Sequence, residues 1–454
     1  DWLPDWVVGD ILQCAFDLGT GKIWLGRNNT YGGSGNPSGG TNEAGVISGQ
    51  IKTLFGQNSG NARSATLVYN FGQDSSFAGN KTPQGNQDAN GIGDFYYAPP
   101  SGFLSLSTKN LPSVDVIPSE NFNTVLYTGG NGSNNTAIDV SGVGFQPDFT
   151  WIKRRDGAAS HGLFDAVRGV NKILNSDATD AEVTNQSDLL DEFQTDGFGL
   201  GVNAGAENVN KGGSTYVAWN WKAGGSASSN TNGTITSSVS ANAAAGFSIV
   251  SYTGNATNAA TVGHGLSVSP EMVIVKNRDR TSNWHVGGDG VGTDNQYLNL
   301  NTTSAIDSAS TGFQGFTSTV FQLGTDTDWN ANSEDLIAYA FHSVDGYSKV
   351  GSYTGNGNAD GPFVFCGFRP AFVLIKNINV TQNWQIFDNK RDAYNAVGRY
   401  IIPNTSAAEG GANGLPIDFL SNGFKPRHSG SYINNNTLIY IAFAESPFKH
   451  SNAR

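Results

Sequence analysis

Short apolar runs separated by turn-forming residues make up most of this chain. Typical runs are FTWIK at 149–153, MVIVK at 272–276 and LIYIAFA at 438–444. They are short and rich in β-branched and aromatic residues, which is the pattern of buried strands. No segment keeps a 3.6-residue apolar period over ten residues, and the best helix candidate, 180–193, would make only two or three turns. The pattern therefore predicts an all-β protein.

A short polar-aromatic phrase occurs three times, roughly a hundred residues apart. SYTGN stands at 251–255 and again at 352–356, and LYTGGN stands at 126–131. Each phrase is followed by a proline and an apolar strand that ends in lysine, then by a glycine-containing strand, then by a strand with alanine before an aromatic residue. Because this order is kept three times, we predict three homologous domains.

The strand lengths and the size of each copy favour two-sheet β-sandwiches of the concanavalin or jelly-roll kind. We predict one N-terminal module followed by three repeats and a linker: 1–112 for the module, 119–223 for the first repeat, 224–245 for the linker, 246–344 for the second repeat and 347–449 for the third repeat. The Gly, Ser, Ala and Asn content of 224–245 is typical of a linker, although TITSSVS (234–240) alternates well enough to add a strand.

Composition narrows the class further. Charged residues are only 14% of the chain, but aromatic residues are 11%, so the chain can bury apolar cores. The net charge is −12 and no run of Lys or Arg exceeds three residues, which argues against a nucleic-acid partner. No apolar stretch approaches the ~18 residues of a membrane span. Cys14 and Cys366 are too few for a disulfide framework, and we expect buried free thiols.

The N-terminal segment carries VGDILQCAFDLGTGKIWLGRNN at 8–29, a predicted hairpin with its turn at LGTGK. This stretch resembles the second half of a SPRY domain, a concanavalin-like β-sandwich, and a later VYNFGQ resembles a late strand of that family. The residues at the motif positions are Asp10, Asp17, Trp24, Asn70, Phe71, Gly72 and Gln73. The resemblance implies a truncated SPRY-like module, and we expect the chain to be a fragment of a longer polypeptide.

The whole chain resembles large virion proteins of tailed bacteriophages. The matching motifs include FNTVLYTGGNG (122–132), TYVAWNWKAGG (215–225) and the ending AFAESPFKHSNAR (442–454). The resemblance implies a structural or adhesive component of the virion, in a tail or capsid fibre, with no catalytic residues. It also implies contacts with other virion proteins and with a host-surface receptor or glycan, and favours a homotrimer of sandwiches strung in line.

Two other classes stay open from the residues alone. One is a secreted carbohydrate-binding or glycan-active protein, which would need two convergent acids in a domain that is not repeated. The other is a cellular surface adhesin, which the composition does not separate from a phage fibre.

The most suggestive acid is Asp165, three residues before Arg168. The third repeat has Asp388 and Arg391 in the same relation, whereas the second repeat has HVGGDGV (285–291) there. The catalytic interpretation is an acid oriented by arginine, and the structural interpretation is an ion pair that braces a turn. The repetition and the missing copy favour the ion pair.

The six histidines show no HxH or HExxH spacing, and we expect packing or loop roles for them.

One loop offers candidate ligand contacts. Asp326, Asp328, Asn330 and Asn332 begin like a calcium loop, but Ala331 and Ile337 stand where an EF-hand needs Gly and Glu. We therefore expect an Asn-rich turn and no cofactor, with Ca²⁺ as the alternative. Trp329 in this loop is either a stacking face for a sugar or a cap on the sandwich, because Val209 and Ile433 fill its slot in the other repeats.

Overall fold

The computed structural model describes residues 7–47, 67–111, 113–130, 136–186, 188–202, 208–411 and 414–449. The chain divides into two compact units, Asp1–Ser113 and Val114–Arg454. The strands of both units pair in antiparallel sheets and helix is scarce, so the predicted all-β class is confirmed. Helix is confined to α1 (Thr327–Asn330) and to three short 3-10 turns at Gly32–Ser34, Thr108–Asn110 and Pro118–Glu120 among the residues described.

The described part of the first unit has one small sheet, formed by β1 (Leu12–Asp17), β2 (Lys22–Arg27), β3 (Thr30–Tyr31) and β4 (Gly45–Val46). The predicted hairpin is β1 and β2. The strand expected at VYNFGQ is absent, and bends and turns stand there instead. Asn70 is the reason, because its side-chain oxygen accepts the amides of Gly72 and Gln73 at 2.7 and 2.9 Å and so turns the chain.

The second unit contains the three repeats. The strands of the first repeat are β5 (Phe122–Thr128), β6 (Ile138–Ser141), β7 (Phe149–Arg154), β8 (Gly162–Asp165), β9 (Leu190–Gln194), β10 (Gly197–Leu200) and β11 (Thr215–Trp221). The strands of the third repeat are β23 (Ser348–Asn356), β24 (Val364–Phe365), β25 (Phe368–Asn377), β26 (Gln385–Asp388), β27 (Ile417–Leu420), β28 (Gly423–Pro426) and β29 (Asn435–Pro447).

Between them lie the strands of the predicted linker and the second repeat. These are β12 (Ser228–Asn230), β13 (Ser237–Asn242), β14 (Phe247–Thr253), β15 (Ala260–Gly263), β16 (Met272–Asn277), β17 (Trp284–Gly287), β18 (Gln296–Asn299), β19 (Asp307–Ser308), β20 (Phe313–Phe316), β21 (Val320–Leu323) and β22 (Asp335–Phe341). The segment 224–245 thus forms two strands that extend the sheet of the second repeat, and Ile235 also bridges to Val262. The helix considered for 180–193 is absent, since its last residues belong to β9.

Each repeat has an inner sheet and an outer sheet with the same strand order. The inner sheets run β5-β11-β7-β8, β14-β22-β16-β17 and β23-β29-β25-β26. The outer sheets run β6-β10-β9, β15-β21-β20 and β24-β28-β27. One face of each inner sheet packs on its own outer sheet, which gives each repeat a sandwich core.

The other face of every inner sheet packs into one core that all three repeats share, here called the central core. In β11, Trp219 and Trp221 face the central core while Tyr216 and Ala218 face the sandwich core of the first repeat. Since both faces are buried, the two middle strands of each inner sheet are largely apolar, whereas the first strands β5 and β23 keep polar residues between apolar ones. The sandwiches expected in line are instead grouped around this core.

Aromatic contacts in the central core join each pair of repeats. Phe149 stacks on Tyr339 with ring centroids 4.3 Å apart, which joins the first and second repeats. Phe443 of the third repeat stacks on Phe122 of the first at 5.0 Å and meets Phe341 of the second edge-on at 6.0 Å. Burial of such rings is the largest apolar contribution per residue, so the repeats stabilise one another.

Backbone hydrogen bonds between repeats follow a threefold pattern. The amide three residues before Gly162 of β8, or its equivalent in the other repeats, bonds to a neighbouring repeat each time: Ala159 to Ser406, Ser282 to Thr179 and Gln382 to Thr303, all at 2.9 Å. A second set lies nearby: Glu182 to Arg278 at 2.8 Å, Ile306 to Ile378 at 2.9 Å and Glu409 to Arg155 at 3.0 Å. We call the three contact zones the first–second, second–third and third–first seams.

Candidate functional site

The repeated YTG phrase forms a clamp on a neighbouring loop. Its tyrosine hydroxyl donates to a backbone carbonyl in every repeat: Tyr127 to Val209 at 2.7 Å, Tyr252 to Trp329 at 2.7 Å and Tyr353 to Ile433 at 2.5 Å. An asparagine follows each acceptor, and Asn210, Asn330 and Asn434 are all fully buried. The phrase therefore anchors an apolar residue and a buried asparagine at the end of each sandwich.

Trp329, the candidate stacking residue, lies in the sandwich core of the second repeat. Only 1% of it is exposed, and its indole N–H donates to the carbonyl of Thr311 at 3.0 Å. His285 packs edge-on against it with ring centroids 4.2 Å apart, and Tyr297 and Phe313 complete the surroundings. A ring enclosed in this way has no face open to a ligand, so the structure favours the sandwich cap over the sugar contact.

The polar residues of the same loop are committed to local hydrogen bonds. Asp326 caps α1 by accepting the amide of Asp328 at 2.9 Å, and Asp328 bonds to Nε2 of His285 at 3.0 Å. Asn330 donates to the carbonyls of Thr257 and Gly324 at 3.0 and 2.7 Å. Across the described residues, no three His, Cys, Asp or Glu side chains stand close enough to hold a metal ion.

Asp165 and Arg168 lie in the first–second seam. Arg168 donates through its backbone amide to Oδ1 of Asp165 at 2.8 Å and through Nε to Oδ2, and neither side chain is exposed. Arg168 continues to Glu182 at 2.9 Å, and Glu182 pairs with Arg278 of the second repeat at 2.8 Å. Burial raises the pKa of Glu182, but the two arginines outweigh it and lower the pKa overall.

The third–first seam repeats this network. Arg391 bonds to Asp388 at 2.6 Å and to Glu409 at 3.3 Å. Glu409 then pairs with Arg155 of the first repeat at 2.8 Å. In addition, Nε1 of Trp219 donates to Oδ2 of Asp388 at 3.1 Å, as the hydroxyl of Tyr339 does to Asp165 at 2.8 Å in the first–second seam.

The second–third seam is apolar at every corresponding position. Strand register places Gly288, Val291, Ile306, Ile378 and Ile441 where the first–second seam has Asp165, Arg168, Glu182, Arg278 and Tyr339. Val291 and Ile441 belong to the central core, with Ile306 and Ile378 packed against it. The missing Asp–Arg pair thus accounts for two of five changes that together replace the network with apolar residues.

Residues 117–447 match the family described as a domain of unknown function, DUF7483. The chain belongs to the DUF7483 family. The matched range holds all three repeats, so the DUF7483 domain is the complete ring of sandwiches around the central core. Comparisons with curated proteins and with solved structures find no match.

Two histidines, His161 and His285, occupy different structural positions in the DUF7483 repeats. Register places His161 with Trp284 and Trp384, whereas His285 corresponds to Gly162 and Gln385. The ring nitrogens of His161, Trp284 and Trp384 all bond to carbonyls of the neighbouring repeat, at 3.1, 2.9 and 3.0 Å. Burial lowers the pKa of His161 well below its usual value, so it stays neutral and donates like the tryptophans.

The lysines that end the apolar strands are a feature that sequence reasoning noted without assigning a role. Lys153, Lys276 and Lys376 are completely buried, and each Nζ donates to a carbonyl of a neighbouring repeat: Ser406, Thr179 and Thr303, at 3.3, 3.1 and 3.3 Å. Burial lowers the pKa of each to about 8. The sequence indicated this role only by placing a lysine at the end of the same apolar strand in all three repeats. All these groups join repeats, and their arrangement is suited to holding a rigid body together.

Proposed function

We propose that this chain is a structural and adhesive component of a tailed-bacteriophage virion, located in a tail or capsid fibre. The resemblance of its motifs to phage virion proteins motivates the proposal. The observation that supports it best is that buried polar side chains of the DUF7483 domain connect one repeat to another. These side chains are acids, arginines, lysines and the ring nitrogens of aromatic residues. Such a body resists deformation, which is what a fibre module exposed to solvent needs.

The candidate acids are poorly placed for catalysis, so we propose that the chain is not an enzyme. The Asp165 side chain has no exposed surface and both of its oxygens are occupied. A glycosidase needs two carboxyl groups that reach one bond of the substrate, with the acid's proton available for transfer. Incubation with polysaccharides should therefore release no reducing ends. Release that Asp165→Asn abolishes would contradict this.

The homotrimer stays a prediction, together with contacts to other virion proteins and to host-surface glycans. Its support is reduced by the fold, because the apolar inner faces that a fibre trimer would bury between chains are buried within one chain. None of the helices described is long and apolar enough to cross a membrane. Light scattering on the intact chain, of 47.8 kDa, separates a monomer from a trimer.

The direct test of the function is its place in particles. Mass spectrometry of density-purified phage particles from a host producing this chain should find it at a fixed copy number, and gold-labelled antibodies should mark one defined site on the particle. Detection only in the medium or on uninfected cells would instead support the secreted glycan-active protein or the cellular adhesin.

A further inference from the structure

Two phenylalanines project side by side from the outer sheet of the third repeat. Phe363 and Phe365 are 48% and 61% exposed, whereas the intervening Val364 and the following Cys366 are buried in the sandwich core. Phe365 lies in β24 and Phe363 directly precedes it, and because exposure alternates from 363 to 366, the two rings lie on one face, roughly 7 Å apart along it.

The other two repeats do not carry this feature. Register places Asp139 and Thr261 where the third repeat has Phe363, and Ser141 and Gly263 where it has Phe365. The buried residues between them stay apolar, since Val140 and Val262 correspond to Val364. The fold therefore does not require the aromatic rings, because the equivalent strands form with polar or small residues.

The surroundings of the rings combine open space with polar groups. The residue opposite Phe365 on β28 is Gly423, which has no side chain to cover the ring. Beyond it, Asp360 accepts from Lys425 at 2.8 Å and from Arg427 at 2.9 Å, and Arg427 also bonds to Asp418 at 2.5 Å. The charges balance within this group, so the surface offers hydrogen-bonding groups without a net charge that would select an ion.

The exposed apolar area is small. A phenylalanine side chain buries about 150–250 Å², so the exposed parts of the two rings amount to roughly 200 Å². A stable protein interface needs about 800 Å² from each partner, which is far more. An oligosaccharide needs only a flat apolar face and nearby hydrogen-bonding groups, and this surface supplies both.

We infer that Phe363 and Phe365 form a stacking platform for a neutral oligosaccharide, with Asp360 and Arg427 as hydrogen-bonding groups beside it. This inference rests on the proposed adhesive function and names its ligand class. It places the sugar contact on exposed rings in the third repeat and not on the buried ring of Trp329, for which a sugar contact was one of two alternatives.

The test uses the intact chain and a fixed panel of probes: gluco-, galacto- and manno-oligosaccharides, with sialylated and uronate oligosaccharides as the anionic set. Saturation-transfer NMR should show binding of at least one neutral probe at up to roughly 10 mM, as expected for a weak single site. Phe363→Ser with Phe365→Ser should weaken that binding by about tenfold or more, since each tenfold step is about 1.4 kcal/mol of lost stacking. Tyr394→Ser, at a residue 76% exposed outside the platform, is the matched control and should leave it unchanged.

Three outcomes overturn the inference: no neutral probe binds, only anionic probes bind, or the double serine variant binds as the wild type does. A change in mass by light scattering in the double variant, with no change in probe binding, would assign the rings to a protein contact. Incorporation of the double variant into particles at the wild-type level separates this test from the proposed function, because loss of the sugar contact does not affect assembly.

Discussion

The hydroxyl of Tyr339 in the second repeat donates to Oδ2 of Asp165 in the first repeat at 2.8 Å. Both residues are buried, and the same carboxylate oxygen accepts from Arg168. Trp219 and Asp388 make the equivalent contact in the third–first seam, at 3.1 Å. An aromatic donor from one repeat thus satisfies a buried acid of another wherever the acid is present.

Removing that donor tests the contact. Tyr339→Phe should lower the free energy of unfolding by about 1–3 kcal/mol, because a buried carboxylate oxygen loses one of its hydrogen bonds. Urea unfolding followed by tryptophan fluorescence measures the change. Tyr432→Phe, at a residue 40% exposed, is the control and should alter stability little. Equal effects of the two changes would contradict the assigned role.

The apolar second–third seam suggests a second prediction. Asp165→Asn alone should cost about 3–5 kcal/mol, since it removes one of the two charge partners of the buried Arg168 and leaves Glu182 as the other. Transplanting the second–third set into the first–second seam should restore most of the stability, because hydrocarbon can replace a complete buried ion network at little cost. The transplant is Asp165→Gly, Arg168→Val, Glu182→Ile, Arg278→Ile and Tyr339→Ile. If the variant with all five substitutions were less stable than Asp165→Asn, the seams would not be interchangeable.

The strands and their order were predictable from the chain because the middle strands of each inner sheet are largely apolar runs and recur in the same order. The predicted TYVAWNW strand is β11, residue for residue. The central core was not predictable. An apolar run shows that both faces of a strand are buried, but it does not show whether the second face is covered by its own domain or by another repeat.

The candidate site was predicted in part. The structural interpretation of Asp165 and Arg168 agrees with their burial, but the partner Tyr339 is 174 residues from Asp165 along the chain, and no local pattern indicates such a contact. Trp329 carried the signals of a ligand loop, and its burial depends on Phe313 and His285, which come from other strands. Exposure of Phe363 and Phe365 likewise depends on register, which spacing alone did not fix.

The YTG clamp leads to a third prediction. A Cβ atom on Gly254 would collide with the backbone carbonyl of Ala331 in the clamped loop, and backbone cannot move aside as a side chain can. Gly254→Ala should therefore destabilise the protein by about 1–3 kcal/mol, measured by thermal unfolding. Gly411→Ala is the control, since a Cβ there meets no atom within 4 Å. A neutral Gly254→Ala would show that the phrase is repeated for another reason.

The buried lysines predict a dependence of stability on pH. Burial lowers the pKa of Lys276 in the folded state to about 8, from the usual 10.5 of a lysine. Between pH 8 and 10.5, Lys276 is protonated in the unfolded chain and neutral in the folded chain. The free energy of unfolding therefore increases with pH over this range. Below pH 8 both states are protonated and the full cost of burying the charge applies.

Lys276→Met isolates this effect from other groups. Burial raises the pKa of Cys366 to about 12, and the unfolded thiol ionises near 9, so that group lowers stability in the same range. The difference in unfolding free energy, wild type minus variant, cancels this contribution and should increase from pH 8 to 10. Denaturant unfolding at four pH values measures it. A difference that is flat or falls over this range would contradict a depressed lysine pKa.

The central claim is that the three repeats form one cooperative body around the central core. Native-state hydrogen exchange in increasing denaturant tests it most directly, because it reports the opening free energy of each strand in the intact chain. The account predicts that the amides of β11, β22 and β29 converge on the same opening free energy and the same denaturant dependence. Separate opening of any one repeat, with the other two still protected, would contradict it.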